Sequence, residues 1–177
     1  MIAVAIDEKL DIGEFTVHLR NIRLPMGLVV DDVRLAGTRL HLERTPFAAT
    51  CPEPGTLEVF VSAASLAAFL ERQAPAGLKK FQVEARDGKL FIQAVKAVIV
   101  ELKASAVCHL EMVGGTQLMV ILESVDMAGA GIKNLIQAQL DKINPIIDTA
   151  DLPIPATIQS ILIEQGGIIL RGQISPP

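Results

Sequence analysis

Between Val98 and Met112 every second residue is apolar: Val98, Val100, Leu102, Ala104, Ala106, Cys108, Leu110 and Met112. The residues between them, Ile99, Glu101, Lys103, Ser105, Val107, His109 and Glu111, are mostly polar or charged. Alternation with period two marks a β-strand with one dry face and one wet face. At about 3.3 Å per residue this strand would span roughly 50 Å, whereas an ordinary strand has about 5–6 residues. A strand of that length must bend, and its dry face must be covered. The middle of that face carries only Ala104 and Ala106, where a tight core calls for larger side chains. What fills the space above them is the question this sequence poses.

The 177 residues are enough for one domain with a sizeable core. Half are hydrophobic and only 20% are charged, with a mean hydropathy of +0.44. Yet no apolar run reaches the roughly 18 residues of a membrane span; Lys96 and Glu101 interrupt the greasiest stretch. The apolar content is therefore spread over alternating strands and amphipathic helices, which implies a large dry core or a dry cavity. The absence of Trp and Tyr removes most base-stacking capacity, and the net charge of −4 opposes a polyanion. No nucleic-acid partner is expected. The opening MIAVAIDEKL is too short and too acidic for a secretory signal.

Along the chain, Ile2–Lys9 alternates as a strand, followed by a turn at Asp11-Ile12-Gly13. Phe15, Val17 and Leu19 alternate next. Ile22 and Leu24 continue one residue out of phase, which predicts a bulge near Arg20–Asn21. Leu28–Leu35 and Thr38–Glu43 read as strands joined by an Ala36-Gly37 turn. Thr45 to Gly55, with three prolines, reads as a loop but not as a domain boundary. Thr56–Val61 is a strand, and Ser62 caps a helix carrying Leu66, Phe69 and Leu70, stopped by Pro75 and Gly77. Phe81–Arg86 and Lys89–Val95 form a hairpin on Asp87-Gly88. The long strand turns at Gly114-Gly115 into Gln117–Met127, whose apolar Leu118–Leu122 predicts a central position in the sheet. A second helix carries the stripe Ile132, Leu135, Ile136, Leu140 and Ile143 and ends at Asn144-Pro145. After a loop from Asp148 to Pro155, Thr157–Glu164 and Ile168–Gly172 make a last hairpin around Gly166-Gly167. The order predicts an α+β fold, a curved antiparallel sheet with two helices on its dry face.

Catalytic and metal chemistry find little support. His18, His41 and His109 lie far apart on strand faces that read as exposed, and no spacing closes a metal site. Gly129-Ala130-Gly131 opens a helix but lacks the third glycine of a dinucleotide loop. Asp148 with Asp151 in a loop, and Asp31 with Asp32 in a strand, are carboxylate pairs without a neighbouring nucleophile, explained by loop capping and solubility. Cys51 and Cys108 do not form a secreted disulfide pattern; Cys108 reads as a small buried hydrophobe.

Several stretches resemble the LmeA-like phospholipid-binding family. They are Leu140-Asp141-Lys142-Ile143-Asn144-Pro145-Ile146-Ile147-Asp148, Asp151-Leu152-Pro153-Ile154-Pro155 and Gln165-Gly166-Gly167-Ile168-Ile169-Leu170-Arg171-Gly172, with the run Val61–Leu70 and the Asp87-Gly88-Lys89-Leu90 hairpin. The similarity covers about Thr56 to Gly172. It implies a fold similar to the tubular lipid-binding superfamily, a long helix cradled by a curved antiparallel sheet with an apolar groove, and no enzymatic activity or cofactor. Family members usually begin with a signal peptide or anchor; this chain has neither, and the expectation for it as given is cytoplasmic.

Together, residues and resemblance predict a non-enzymatic lipid-binding protein. Acyl chains of a phospholipid or fatty acid would lie between the dry face of Val98, Val100, Leu102, Ala104, Ala106, Cys108 and Leu110 and two helical stripes. These are Leu66, Phe69 and Leu70, then Ile132, Leu135, Ile136 and Leu140. Lys79, Lys80 and Lys133 are candidate headgroup contacts, and peripheral contact with a membrane follows. The alternative is a structural domain with a filled core whose partner is a protein, a second copy of the chain included.

Overall fold

The computed structural model describes residues 9–74, 77–97, 101–126, 131–152 and 154–174. In chain order the elements are β1 (Lys9–Ile12), β2 (Phe15–Arg23), β3 (Val29–Gly37), β4 (Leu40–Arg44), β5 (Phe47–Thr50), β6 (Gly55–Ser62) and α1 (Ala63–Gln73). They continue with β7 (Leu78–Arg86), β8 (Lys89–Ala97), β9 (Glu101–Val113), β10 (Gln117–Asp126), α2 (Gly131–Ile143), β11 (Ile147–Asp148), β12 (Ala156–Glu164) and β13 (Gly167–Ile174). The fold is α+β and antiparallel throughout its strand pairs. Its helical part is two separate helices of 11 and 13 residues, as the sequence pattern predicts, and not one long helix. The predicted strand before Lys9, the positions Val98 and Val100, and Gly129-Ala130 lie outside the described residues.

The strands divide into two five-stranded sheets, ordered β11-β10-β9-β8-β7 and β12-β13-β6-β3-β2, and a three-stranded sheet, β1-β4-β5. The long strand is the centre of the first. Turn chemistry sets this sheet's register. Asp87 and Gly88 at φ 53° and 71°, and Gly114 and Gly115 at φ 62° and 71°, supply the paired left-handed residues of tight hairpin turns. α1 packs on β7 and also reaches β3 and β6, so it lies between the two large sheets. Leu28, Phe69, Leu118, Ile168 and Leu170 are fully buried in one apolar cluster that takes residues from all three sheets and both helices.

Several local expectations are corrected. β2 and β3 pair without a register shift from Phe15↔Gly37 to Arg23↔Val29, so there is no bulge at Arg20–Asn21. Asn21 instead adopts φ 54°, a left-handed conformation Asn tolerates, and this reverses the buried face. Ile12 belongs to β1 and not to a turn. The 45–55 segment contains β5, which pairs with β4; its prolines flank the strand without interrupting it. β3 and β4 do not form a hairpin. At Gly37 the chain leaves against the Phe15 ring, where an added Cβ would come within 2.7 Å, and β6 takes the free edge of β3.

β10 is not central either. Among the described residues, only the two-residue β11 lies beyond it. Much of its edge is closed by the chain after α2: Asn144 Oδ1 accepts from Val120 N, Asn144 Nδ2 donates to Val120 O, both at 2.9 Å, and Ile146 N donates to Leu118 O.

Candidate functional site

α1 is fixed at both ends. Ser62 Oγ accepts from Ser65 N at 3.1 Å as the N-cap. The Asp31 carboxylate adds two bonds there, accepting from Ser62 N at 2.7 Å and Ser65 Oγ at 3.0 Å, where the helix dipole favours negative charge. At the far end Arg72 donates to Gly27 O and Gln73 to Met26 O, which ties the helix to the β2–β3 turn. The Glu71 carboxylate accepts from Lys80 N and Phe81 N, where one extra residue makes β7 bulge. α2 joins this assembly through Gln139 Nε2, which donates to Gln73 O.

Between the two helices and the dry face of the β7–β10 sheet lies an apolar cavity of about 60 Å³. α1 contributes Leu70 and Gln73, followed by Ala74; α2 contributes Ile136, Gln139, Leu140 and Ile143. The sheet contributes Leu78 and Phe81 from β7, Ile92 and Ala94 from β8, and Ala104, Ser105, Ala106 and Cys108 from β9. The register makes the hollow. Ala94 pairs with Ala104, and Ile92 with Ala106, so three of four neighbouring positions carry a single methyl. A smaller void of about 20 Å³ shares Leu70, Ile92, Leu140 and Ile143 with it and extends to Leu66 and Phe69.

Of the predicted site residues, this geometry brings together Leu70, Ala104, Ala106, Cys108, Ile136 and Leu140 in one wall, with Leu66 and Phe69 in the adjoining void. Leu110 is half-buried and packs on the core outside the cavity, and Leu135 is half-buried on α2. Leu102 lies on β9, paired with Lys96, and Ile132 on the first turn of α2. Lys79 and Lys80 are exposed on β7 beside the wall residues Leu78 and Phe81, and Lys133 is exposed on α2. Sequence reasoning missed Gln73, Leu78, Phe81, Ile92, Ala94, Gln139 and Ile143 as wall residues. The Asp87-Gly88 turn could have found two of them. It sets the β7–β8 register, and the alternation of β8 then puts Ile92 and Ala94 on the dry face.

The thiol of Cys108 is pushed up to about 12, by burial first and by the negative charge of Glu123 second. It is a neutral part of the wall at physiological pH. Cys51 is also buried, and the two are not bonded to each other. Each histidine faces a carboxylate, His18 with Asp32, His41 with Asp11 and His109 with Glu123. Among the described residues no group of three or more His, Cys, Asp or Glu is placed to hold a metal. Asp148 accepts from Gln117 Nε2 and Ala150 N at 2.9 Å each, and these bonds hold its carboxyl below the usual range. It caps a short 3-10 turn, Thr149–Asp151, in keeping with the structural reading of this pair. No helix among the described residues is long and apolar enough to cross a membrane.

Comparison with curated proteins and with solved structures finds no match. Comparison with family models finds one that matches residues 2–173, so the similarity extends through the first 55 residues as well. The chain belongs to the LmeA-like phospholipid-binding family.

Proposed function

We propose that this protein binds an acyl-chain lipid, a phospholipid by its family, in the cavity between the sheet and the two helices, and performs no chemistry on it. The observation that carries this reading is the alanine-floored hollow of Ala94, Ala104 and Ala106 under Ile136 and Leu140. A wall of this kind recognises hydrocarbon by area alone. Each CH₂ transferred from water contributes about 0.8 kcal/mol, so affinity needs no charged anchor. As it stands the cavity is well below the roughly 300–1,000 Å³ of a site for a drug-sized ligand. Lipid uptake therefore requires α2 to move outward from the sheet.

The small volume also favours a second reading, a filled core serving a structural domain with a protein partner. Native mass spectrometry of freshly purified protein, followed by organic extraction, separates the two. A bound mass that extracts as phospholipid or fatty acid is the expected result. Ala106→Phe, which fills the floor of the cavity, should then remain folded and lose uptake of a fluorescent acyl chain. A bare protein that takes up no acyl chain sinks the lipid reading.

A further inference from the structure

The turn between β2 and β3 sits against one end of the cavity. Gly27 N donates to Leu24 O and Leu24 N to Leu28 O, which makes a tight turn with Pro25 and Met26 at its tip and Gly27 at φ 92°. Leu24 and Leu28 at its base are buried, whereas Pro25 and Met26 are exposed. Among the described residues the exposed large apolar side chains are Leu10, Met26 and Val113. Of these only Met26 is hydrogen-bonded to a residue of the cavity wall, its carbonyl accepting from Gln73 at 3.0 Å. Gln73 in turn accepts from Gln139 of α2. The tip, the end of α1 and the helix that must move are thus one connected unit.

The charge around this tip runs against the chain's overall balance. Arg23 is exposed one residue before the turn. Arg72 lies across Gly27, donating to its carbonyl at 2.6 Å. Glu71, the acid next to Arg72 in sequence, is directed onto the backbone N–H groups of the β7 bulge. A chain of net charge −4 therefore presents two arginines beside an apolar tip at the end of its cavity.

We infer that the Pro25-Met26 tip, with Arg23 and Arg72 beside it, is the surface by which the protein docks on a bilayer containing anionic phospholipid. This rests on the lipid-binding reading and adds to it where the cavity meets its lipid source. A rigid turn holds Met26 out at little entropic cost, so it can enter the headgroup region while the cations meet lipid phosphates. Docking there sets the end of α1 and its link to α2 at the membrane surface, where an opened cavity can receive an acyl chain without exposing it to water.

The test is flotation of the full chain with phosphatidylcholine vesicles, with or without phosphatidylglycerol, alongside uptake of a fluorescent acyl chain delivered from cyclodextrin with no membrane present. Wild type should float with the anionic vesicles, less at high salt, and far less with neutral ones. Arg23→Gln should weaken flotation about fivefold, and Met26→Asp roughly tenfold or more. Met26→Leu should float as wild type does. All three variants should take up the acyl chain from cyclodextrin normally. Wild type that fills from cyclodextrin but does not float, or Met26→Asp that floats as well as wild type, overturns the docking surface and leaves the cavity reading intact. Wild type that floats through Met26 but never takes up an acyl chain supports the surface and overturns the cavity reading.

Discussion

Asn144 does for the edge of β10 what a neighbouring strand would do. Its amide offers an acceptor and a donor at the same spacing as a peptide group, and both meet the backbone of Val120 at 2.9 Å. Removing it leaves a part-buried N–H and C=O without partners, which costs about 1–3 kcal/mol. Asn144→Ala should lower the unfolding free energy by that amount, read as a lower urea midpoint with an unchanged slope, and Asn144→Asp, which keeps only the acceptor, should fall between. An Asn144→Ala protein as stable as wild type would show the edge to be satisfied by solvent. The Asn-Pro pair was legible in sequence as a helix stop, but its strand partner lies 24 positions away and no local pattern points to it. Cys108 gives a second test at this scale. It is 1% exposed, and with its thiol pushed up to about 12 only about one molecule in ten thousand is thiolate at pH 8. Maleimide labelling, read peptide by peptide, should be slow in native protein, fast in urea, and slower still with the cavity occupied. Native labelling at the rate of an ordinary thiol would mean that the cavity wall is open.

The two helices differ in how they are held. α1 has a capped start, a carboxylate on β7 and two bonds into the β2–β3 turn. Among the described residues, the hydrogen bond that joins α2 to α1 is the one from Gln139 to Gln73. If uptake requires α2 to move, that bond is a latch. Losing one such bond shifts an opening equilibrium by about 0.5–1.5 kcal/mol, or roughly two- to tenfold. Gln139→Ala should therefore speed acyl-chain uptake by that factor. Gln73→Cys with Gln139→Cys, bridged by a short reducible bis-thiosulfonate, should block uptake until reductant is added. Uptake through the bridged protein would assign the motion to another element. The elements themselves were readable because helix caps and hairpin turns are local chemistry: Ser62, Asp87-Gly88 and Pro145 each act within a few residues. The division into separate sheets was not readable. β6 lies between β3 and β13, and β1 pairs with β4, and those neighbours are chosen by packing over long sequence separations.

For the whole molecule, alternation in β9 was enough to locate the dry face that walls the cavity. It could not say how far that face is filled, because the answer depends on Ala94 and Ile92 arriving beside Ala104 and Ala106 from another strand. Charge on the wet faces was less legible still, since its pairs also form across strands. Those pairs set how stability depends on pH. The carboxyl of Asp32 is held low chiefly by its bond from His18, that of Glu123 by Lys89, and that of Asp148 by Gln117. A carboxyl whose folded pKa lies below its unfolded one adds stability that is whole above the unfolded value and is lost as pH falls through the folded value. Stability should thus hold between neutral pH and about pH 5 and then decline through pH 4 and below. The three groups are solvent-open, so added salt should flatten the decline. In urea titrations from pH 7 to pH 3, Asp32→Asn with Asp148→Asn should be less stable than wild type at pH 7 and should lose less on acidification, so that the two curves converge at low pH. Parallel curves would mean that neither carboxylate is linked to folding and that the acid limb belongs to other groups.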